Sequence, residues 1–326
     1  MCTASNYITD NCYFGRNFDY EISYNEKVTI VPRNYEFKFK KIDSIKSHYA
    51  IIGIAAGVDE YPLYYDACNE MGLAIAGLNF PDNAVYNDFN GEMINITPFE
   101  LIPYILSCAD SVVSAKKLLQ EINLVNIDFS KQLPLSPLHW MLSDSSGDSI
   151  VVEPFENELR IYDNPVGVLT NNPPFDRQMF NLNNYRHLSN RAHENTFLEN
   201  VDLDEYSRGM GAMGLPGDLS SMSRFVKVAF TRENSYSDAC EEASVGQFFH
   251  ILQSVEQQNG ATFIREPDFY EYTIYSSCYN TNDGILYYRT YGNSQINAVS
   301  LKNEDLDSNE LIDYKLIDTE SINHIN

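Results

Sequence analysis

Apolar and polar positions alternate along much of the chain, and elsewhere apolar residues recur at helical spacing. The alternation is clearest near the end, where residues 272–279 (YTIYSSCY) and 284–291 (GILYYRTY) flank the turn-forming Asn280 to Asp283. Strand side chains point to opposite faces in turn, and aromatic and β-branched residues suit such a surface, so this pair predicts a hairpin. Similar signals predict strands at 27–32, 49–56, 72–78, 149–153 and 166–170.

Thr97-Pro98-Phe99-Glu100 has the capping-box spacing with Pro at the first helical position, and it opens an apolar run ending near Cys108. Ser111 can cap a second helix, in which Val112, Ala115, Leu118, Leu119 and Ile122 form one stripe. Phe248, Ile251, Leu252 and Val255 make another stripe, and 219–231 form a helix after the Pro216-Gly217 break. Strands, a helical pair, strands, helices and strands, in that order, predict an α+β fold with helices laid against antiparallel sheets. No repeat and no Pro- or Ser-rich linker interrupts the chain, so one domain is expected over residues 1–326.

Hydrophobic residues at 44% and charged residues at 21% exclude disordered and fibrous classes. Lys and Arg number 22 against 46 Asp and Glu, and the net charge of −24 repels nucleic acid and anionic lipid, so neither is an expected partner. The longest uncharged apolar stretches, 50–58 and 71–81, fall short of the roughly 20 residues a membrane span needs. The opening MCTASNYITDNCYFGR lacks a basic segment followed by an apolar core, so a cytoplasmic location is expected and the sequon Asn95-Ile96-Thr97 carries little meaning.

Cysteines stand at 2, 12, 68, 108, 240 and 278 without C-x-x-C spacing or a nearby histidine pair. Neither a metal site nor a compact disulfide framework is expected, and no cofactor. Cys12, Cys68, Cys108, Cys240 and Cys278 read as buried small hydrophobes. Gly209 to Gly214 match G-x-G-x-x-G, but the polar run before them and Leu215-Pro216-Gly217 after them are wrong for a dinucleotide site, so a flexible or closely packed loop is expected. His139 and His250 have no Ser or Cys motif beside them and read as packing residues. The serine-hydrolase, phosphate-loop and zinc-protease motifs are absent from the sequence.

Cys2 differs from the other cysteines. Removal of Met1 leaves one residue with both a thiol, titrating near about 8.5, and an α-amine, near about 7.7–8.0, so nucleophile and base coincide. In Phe14-Gly15-Arg16-Asn17-Phe18-Asp19, Arg16 would favour a thiolate and Asp19 would hold an ammonium. The two are three positions apart on an extended segment, so aiming both inward calls for a bulge or bend, which Gly15 permits. A surface ion pair is the competing reading, and the residues alone leave both open.

MCTA, FGRNFD, NEMGLAIAGLNF, SPLHW, VGVLTNNPPFD and GLPGDLSSMSRF, in this order, resemble the choloylglycine hydrolase family, specifically bacterial conjugated bile salt hydrolases. The resemblance spans essentially the whole chain, through QINAVSLKNEDLDSNEL. It implies the N-terminal nucleophile hydrolase fold, a four-layer αββα sandwich of two antiparallel sheets, matured by loss of Met1 alone. It implies Cys2 as nucleophile, Arg16 and Asp19 beside it, Asn79 in GLNF, Asn171 in LTNNP and Arg224 in SRF. The sulfur would attack the amide of a glycine- or taurine-conjugated bile salt, with Asn171 and the Asn79 segment as oxyanion donors. The α-amine, oriented by Asp19, would protonate the leaving nitrogen.

The same resemblance suggests Phe18, Tyr20, Leu133 and Leu135 as pocket lining, a homotetramer, and a gut bacterium as source. Phe18 departs from the Met of some relatives and leaves the glycine or taurine ranking open. Penicillin V acylase is the nearest alternative, disfavoured by Asn79 where those enzymes tend to carry Tyr. Acyl transfer onto amines is a further one. A silent steroid-binding protein belongs to another class, and the intact set of six polar residues argues against it.

Overall fold

The computed structural model describes residues 1–58, 61–266 and 268–326. Two antiparallel sheets face each other. The first runs Val168–Leu169, Cys2–Ile8, Cys12–Tyr20, Phe269–Asn280, Ile285–Thr290 and Asn293–Ser300, with Thr262–Arg265 also paired to Phe269–Asn280. The second runs Glu158–Asp163, Ser149–Phe155, Leu138–Ser143, Ala74–Asn79, Tyr61–Asn69, Ile51–Val58, Lys27–Val31 and Ile312–Lys315. Helices α1 (Leu101–Cys108) and α2 (Val112–Leu119) lie on the second sheet's side, α1 packing directly against its central strands. Of α3 (Phe175–Asn181), α4 (Ser221–Glu233) and α5 (Glu241–Gln253), the last two pack on the first sheet and α3 packs on α4. The layering is the expected αββα.

Apolar burial explains why the layers stay together. Phe14, Ile52, Ile54 and Leu78 from the sheets and Phe225, Phe248 and Leu252 from α4 and α5 belong to one buried cluster. A second, around Phe37, Leu101, Ile105 and Trp140, fills the space between the second sheet and the first helical pair. Each such large side chain contributes about 1.5–3 kcal/mol on burial. Gly15 brings two central strands close together: a Cβ there would lie 1.9 Å from the Ser277 carbonyl oxygen.

The late hairpin forms as expected, between Phe269–Asn280 and Ile285–Thr290. A single 3₁₀ turn, Pro98–Glu100, precedes α1, and the Glu100 carboxylate accepts from the Thr97 backbone N at 3.0 Å. The side chain of Ser111 caps α2, accepting from Ser114 N. Several strands lie outside the expected set, among them Ile94–Ile96, Glu158–Asp163 and Asn293–Ser300, and two more escape for identifiable reasons. Leu138–Ser143 is buried on both faces, so nothing alternates, and Tyr61–Asn69 carries Pro62, which demotes a strand on sequence grounds.

Three burial expectations fail. Cys108 and Cys240 are exposed, because one closes α1 and the other caps α5, and helix ends reach the surface. His250 is also exposed, lying about 200° around α5 from the buried Phe248. His139 is buried as expected, stacked 4.2 Å from Phe80 and bonded to Glu153 and to the Thr170 carbonyl. Within residues 209–214, Met210–Ala212 form a 3₁₀ turn and Gly211 is closely packed, a Cβ there lying 1.8 Å from the Arg191 carbonyl oxygen, whereas Gly209 has open space around it.

Candidate active site

Cys2 opens the first strand and pairs with Phe18, while Ala4 pairs with Arg16. Residues directly opposite in an antiparallel pair share a face, so the Cys2 thiol, Phe18 and Arg16 all point toward the second sheet. Cys2 is 5% exposed. Arg16 crosses the gap, its Nη1 donating to the carbonyls of Tyr65 (3.1 Å) and Gly77 (2.5 Å), while its buried Nη2 has no hydrogen-bond partner among the described residues. Burial opposes the Arg16 charge, but the neighbouring Cys2, Tyr275 and Asp66 hold its pKa above the ordinary value. Phe18 stacks on Tyr275 at 5.1 Å, meets Tyr65 at 4.5 Å, and has the Arg16 guanidinium 5.0 Å from its ring centroid.

The backbone of Cys2 is held from the opposite side. Its N donates to Asn171 Oδ1 at 2.8 Å, and its carbonyl accepts from Arg224 Nη1 at 2.5 Å. Arg224, on α4 and fully buried, also donates to Thr3 Oγ1 (2.5 Å) and through Nη2 to Asn171 Oδ1 (2.8 Å). Burial pulls its pKa below the ordinary value, against the charges of Asp19, Cys2 and Glu271. Asn171 Nδ2 donates to the Asn79 carbonyl at 2.7 Å. A primary amide nitrogen carries two hydrogens, so one remains for a further acceptor.

Met1 is in place ahead of the thiol. Its ammonium donates to the Asp19 carbonyl (2.9 Å) and to Glu271 Oε2 (2.6 Å), and its own carbonyl accepts from Asp19 N (3.1 Å). Arg16 and Asp19 do not both point inward. The Cys12–Tyr20 strand is regular against Cys2–Ile8, so three positions place the two side chains on opposite faces. The Asp19 carboxylate lies on the helical side, accepting from Thr273 Oγ1 (2.6 Å) and from Gln257 Nε2 (3.4 Å).

The expected bulge lies in the facing strand instead, between Thr273, opposite Asp19, and Tyr275, opposite Phe18. This extra residue sends Glu271 and Thr273 to the Asp19 side and Tyr275, Ser277 and Tyr279 to the thiol side, although all five are odd-numbered. The last three donate to the buried Asp66 carboxylate of the second sheet.

The model of the linear amide C-N hydrolases, choloylglycine hydrolase family, matches residues 2–314. The chain belongs to that family. It is 62% identical over 316 residues to the bile salt hydrolase/transferase of Lactiplantibacillus plantarum, covering 97% of each chain. To the bile salt hydrolase/transferase of Clostridium perfringens it is 40% identical, covering 96% of this chain and 95% of the relative. The crystal structure of a mutant conjugated bile acid hydrolase from C. perfringens superposes with a TM-score of 0.93 at 38% identity, covering both chains completely. Penicillin V acylase from Agrobacterium tumefaciens shares the fold, with a TM-score of 0.76 at 20% identity over 96% of this chain and 91% of that one.

Of the polar set expected in this choloylglycine hydrolase, Asn171 bonds the Cys2 backbone nitrogen directly and links it to Arg224 and to the Asn79 carbonyl. Cys2 and Arg16 lie on the inter-sheet side, Asp19 on the helical side, and Asn79, Asn171 and Arg224 are linked in one hydrogen-bonded chain through the Asn171 amide. Among the four expected lining residues, Phe18 stands directly opposite Cys2, and half-buried Tyr20 has its ring 6.1 Å from that of Phe18. Burial raises the Tyr20 pKa. Leu133 and Leu135 stand apart on loop 125–137, with their backbone amides bonded to Ser130 and Asp128, and neither belongs to the apolar cluster that holds Cys2 and Phe18.

Glu271 is the site residue that sequence reading missed. Its signal was a carboxylate in an alternating aromatic run at a buried position, since Glu271 is 5% exposed. Among the described residues no group of His, Cys, Asp and Glu side chains is arranged to hold a metal ion, and no helix is long and apolar enough to cross a membrane.

Proposed function

We propose that this chain, acting as one domain, hydrolyses the amide bond of glycine- or taurine-conjugated bile salts, with Cys2 as nucleophile once Met1 is removed. The observation that carries the reading is the position of Cys2: its thiol faces the gap between the sheets beside Arg16, and its backbone nitrogen rests on Asn171. Relatives at 62% and 40% identity that carry the name bile salt hydrolase/transferase support the substrate class.

The chemistry follows from the parts. With the α-amine free, the thiol proton moves from Sγ to the Cys2 nitrogen, leaving a thiolate near Arg16. The thiolate attacks the amide carbon, and the oxyanion takes the remaining Asn171 N–H and a donor from the Asn79 segment. The carbon–nitrogen bond then breaks as the Cys2 ammonium returns its proton to the leaving glycine or taurine nitrogen. Water, deprotonated by the same amine, cleaves the thioester and frees the bile acid and the thiol. Arg16 and Arg224 supply local positive charge for an anionic substrate in a chain whose net charge is −24. Phe18 and Tyr20, and from loop 125–137 Leu133 and Leu135, are assigned to the apolar steroid surface; the leucines would have to approach the substrate from outside the cluster that holds Cys2 and Phe18.

Acyl transfer is a second reading with its own support, since an amine that intercepts the thioester in place of water gives the activity named in both relatives. Incubation of Met1-free protein with taurocholate, glycocholate and penicillin V, with amine release measured from each, tests these assignments. Turnover of the bile salts above penicillin V is expected. Turnover of penicillin V alone would establish the acylase reading, and binding without turnover the silent steroid-binding one.

A cytoplasmic location is part of the proposal, supported by six free cysteines, which suit a reducing compartment. So is a homotetramer. Phe197, Leu198, Val201, Leu203 and Tyr206 form an exposed apolar run that a neighbouring copy would cover, and the mass in solution tests it.

A further inference from the structure

The carboxylate of Asp19, to which the resemblance assigns the α-amine, is committed elsewhere. It accepts from Thr273 Oγ1 and Gln257 Nε2 on the helical side, and Asp19 meets the chain start only through its backbone. Glu271, by contrast, aims a buried carboxylate at that start. Its Oε2 is 2.6 Å from the Met1 ammonium, and its Oε1 is buried with no hydrogen-bond partner among the described residues. A buried carboxylate oxygen with no donor is costly, and points to a partner still to come.

Counting donors identifies that partner. In the chain with Met1, the Cys2 nitrogen is an amide with one hydrogen, which Asn171 Oδ1 receives. After trimming it becomes an amine that carries three hydrogens when protonated, so two more acceptors are needed. Loss of Met1 frees two, the Asp19 carbonyl and Glu271 Oε2, and Oε1 stands beside them. The nitrogen moves back by one residue, about 3.5 Å along an extended chain, within reach of a glutamate side chain with three rotatable bonds.

We infer that Glu271 is a positioning residue that holds and stabilises the α-ammonium of mature Cys2, while Asp19 contributes its backbone carbonyl. The inference rests on the proposed role of that amine as base, and deepens it. Each time the amine accepts the proton of the thiol or of water, the charge that forms on nitrogen meets the Glu271 carboxylate. Each time it gives the proton to the leaving nitrogen, that pairing ends, and no other group has to change protonation state.

The charged groups around this spot are Asp19 from the adjacent strand, Arg224 from α4, Glu256 from the segment after α5, and Arg16 from the inter-sheet side. Burial raises the pKa of Glu271, and the terminal ammonium counters it.

The test needs no bile salt. In the Cys2→Ala chain with Met1 removed, the pH dependence of N-terminal amine acetylation, read by peptide mass spectrometry, gives the amine midpoint without interference from a thiol at the same residue. Adding Glu271→Gln is expected to lower that midpoint by about 1 pH unit, and Glu271→Asp to restore part of it. In the active chain, Glu271→Gln moves the acidic limb of kcat/KM the same way, with KM nearly unchanged. An unchanged midpoint in a Glu271→Gln chain that melts like its parent overturns the inference. So does a midpoint that moves with Asp19→Asn and not with Glu271→Gln. Failure to turn over bile salts would leave the acetylation result standing and sink only the substrate reading.

Discussion

The first two strands form a hairpin whose two ends are made from the same parts, a cysteine and an arginine from α4, put to different use. At one end Cys2 lies beside Arg224, and at the other Cys12, paired to Ile8, lies near Arg232. Arg224 and Arg232 are eight residues apart on α4, about 12 Å of helix, and their partners Cys2 and Asn6 are four residues apart, about 13 Å of strand, so one helix serves both ends.

Arg224 is fully buried, ties Cys2, Thr3 and Asn171 together, and faces Asp19 and Glu271. Among the described residues Arg232 donates to Asn6 alone, and it lines an open cleft of about 430 Å³. Cys12 has no amine of its own, and burial pushes its thiol up to about 11. A thiol near a guanidinium is therefore not enough. What separates the ends is that the Cys2 nitrogen becomes an α-amine once Met1 is removed, whereas the Cys12 nitrogen, which likewise donates to an asparagine, Asn282, stays an amide within the chain.

The sharpest test of that contrast exchanges the cysteines for alanine. Cys2→Ala, or a chain that retains Met1, should lose hydrolysis by about 10⁶-fold with the fold intact, whereas Cys12→Ala should keep its amine release within about threefold of the parent. Comparable losses at both would break the comparison.

Next in size is the arginine pair. Arg224→Gln removes buried charged hydrogen bonds to the Cys2 carbonyl, Thr3 and Asn171 and should cost about 2–3 kcal/mol in urea unfolding together with most activity, against about 1 kcal/mol and little loss of activity for Arg232→Gln. Asn171→Ala removes one oxyanion donor and should lower kcat by about 10²–10³, visible in single-turnover rates.

The smallest effect is one of labelling. In folded Met1-free protein at pH 8, iodoacetamide should modify Cys2, Cys108 and Cys240 and leave Cys12, Cys68 and Cys278 untouched, as mass spectrometry of the peptides would report.

How far the sequence foretold this depends on the range of the signal. Local chemistry was legible: Thr97 to Glu100 announced their turn, Ser111 its cap, and the tyrosine runs their hairpin. Cys2, Arg16 and Asp19 were legible as candidates because they lie within one short hairpin. Their faces were not, since the residue that breaks the parity lies between Thr273 and Tyr275, more than 250 positions away. Glu271 escaped for the same reason, as only strand pairing brings it to the chain start. His250 misled because period alone does not fix where an apolar stripe ends, and Cys108 and Cys240 because helix ends reach solvent.

Gly15 has a consequence for how such enzymes can drift. With the Ser277 carbonyl where a methyl would go, any larger residue there must prise apart the strands that carry Arg16 and Tyr275. The spacing of the two neighbouring strands that carry Arg16 and Tyr275 is thus set by a missing carbon atom, and evolution can retune the walls of the pocket freely while that spacer stays untouchable.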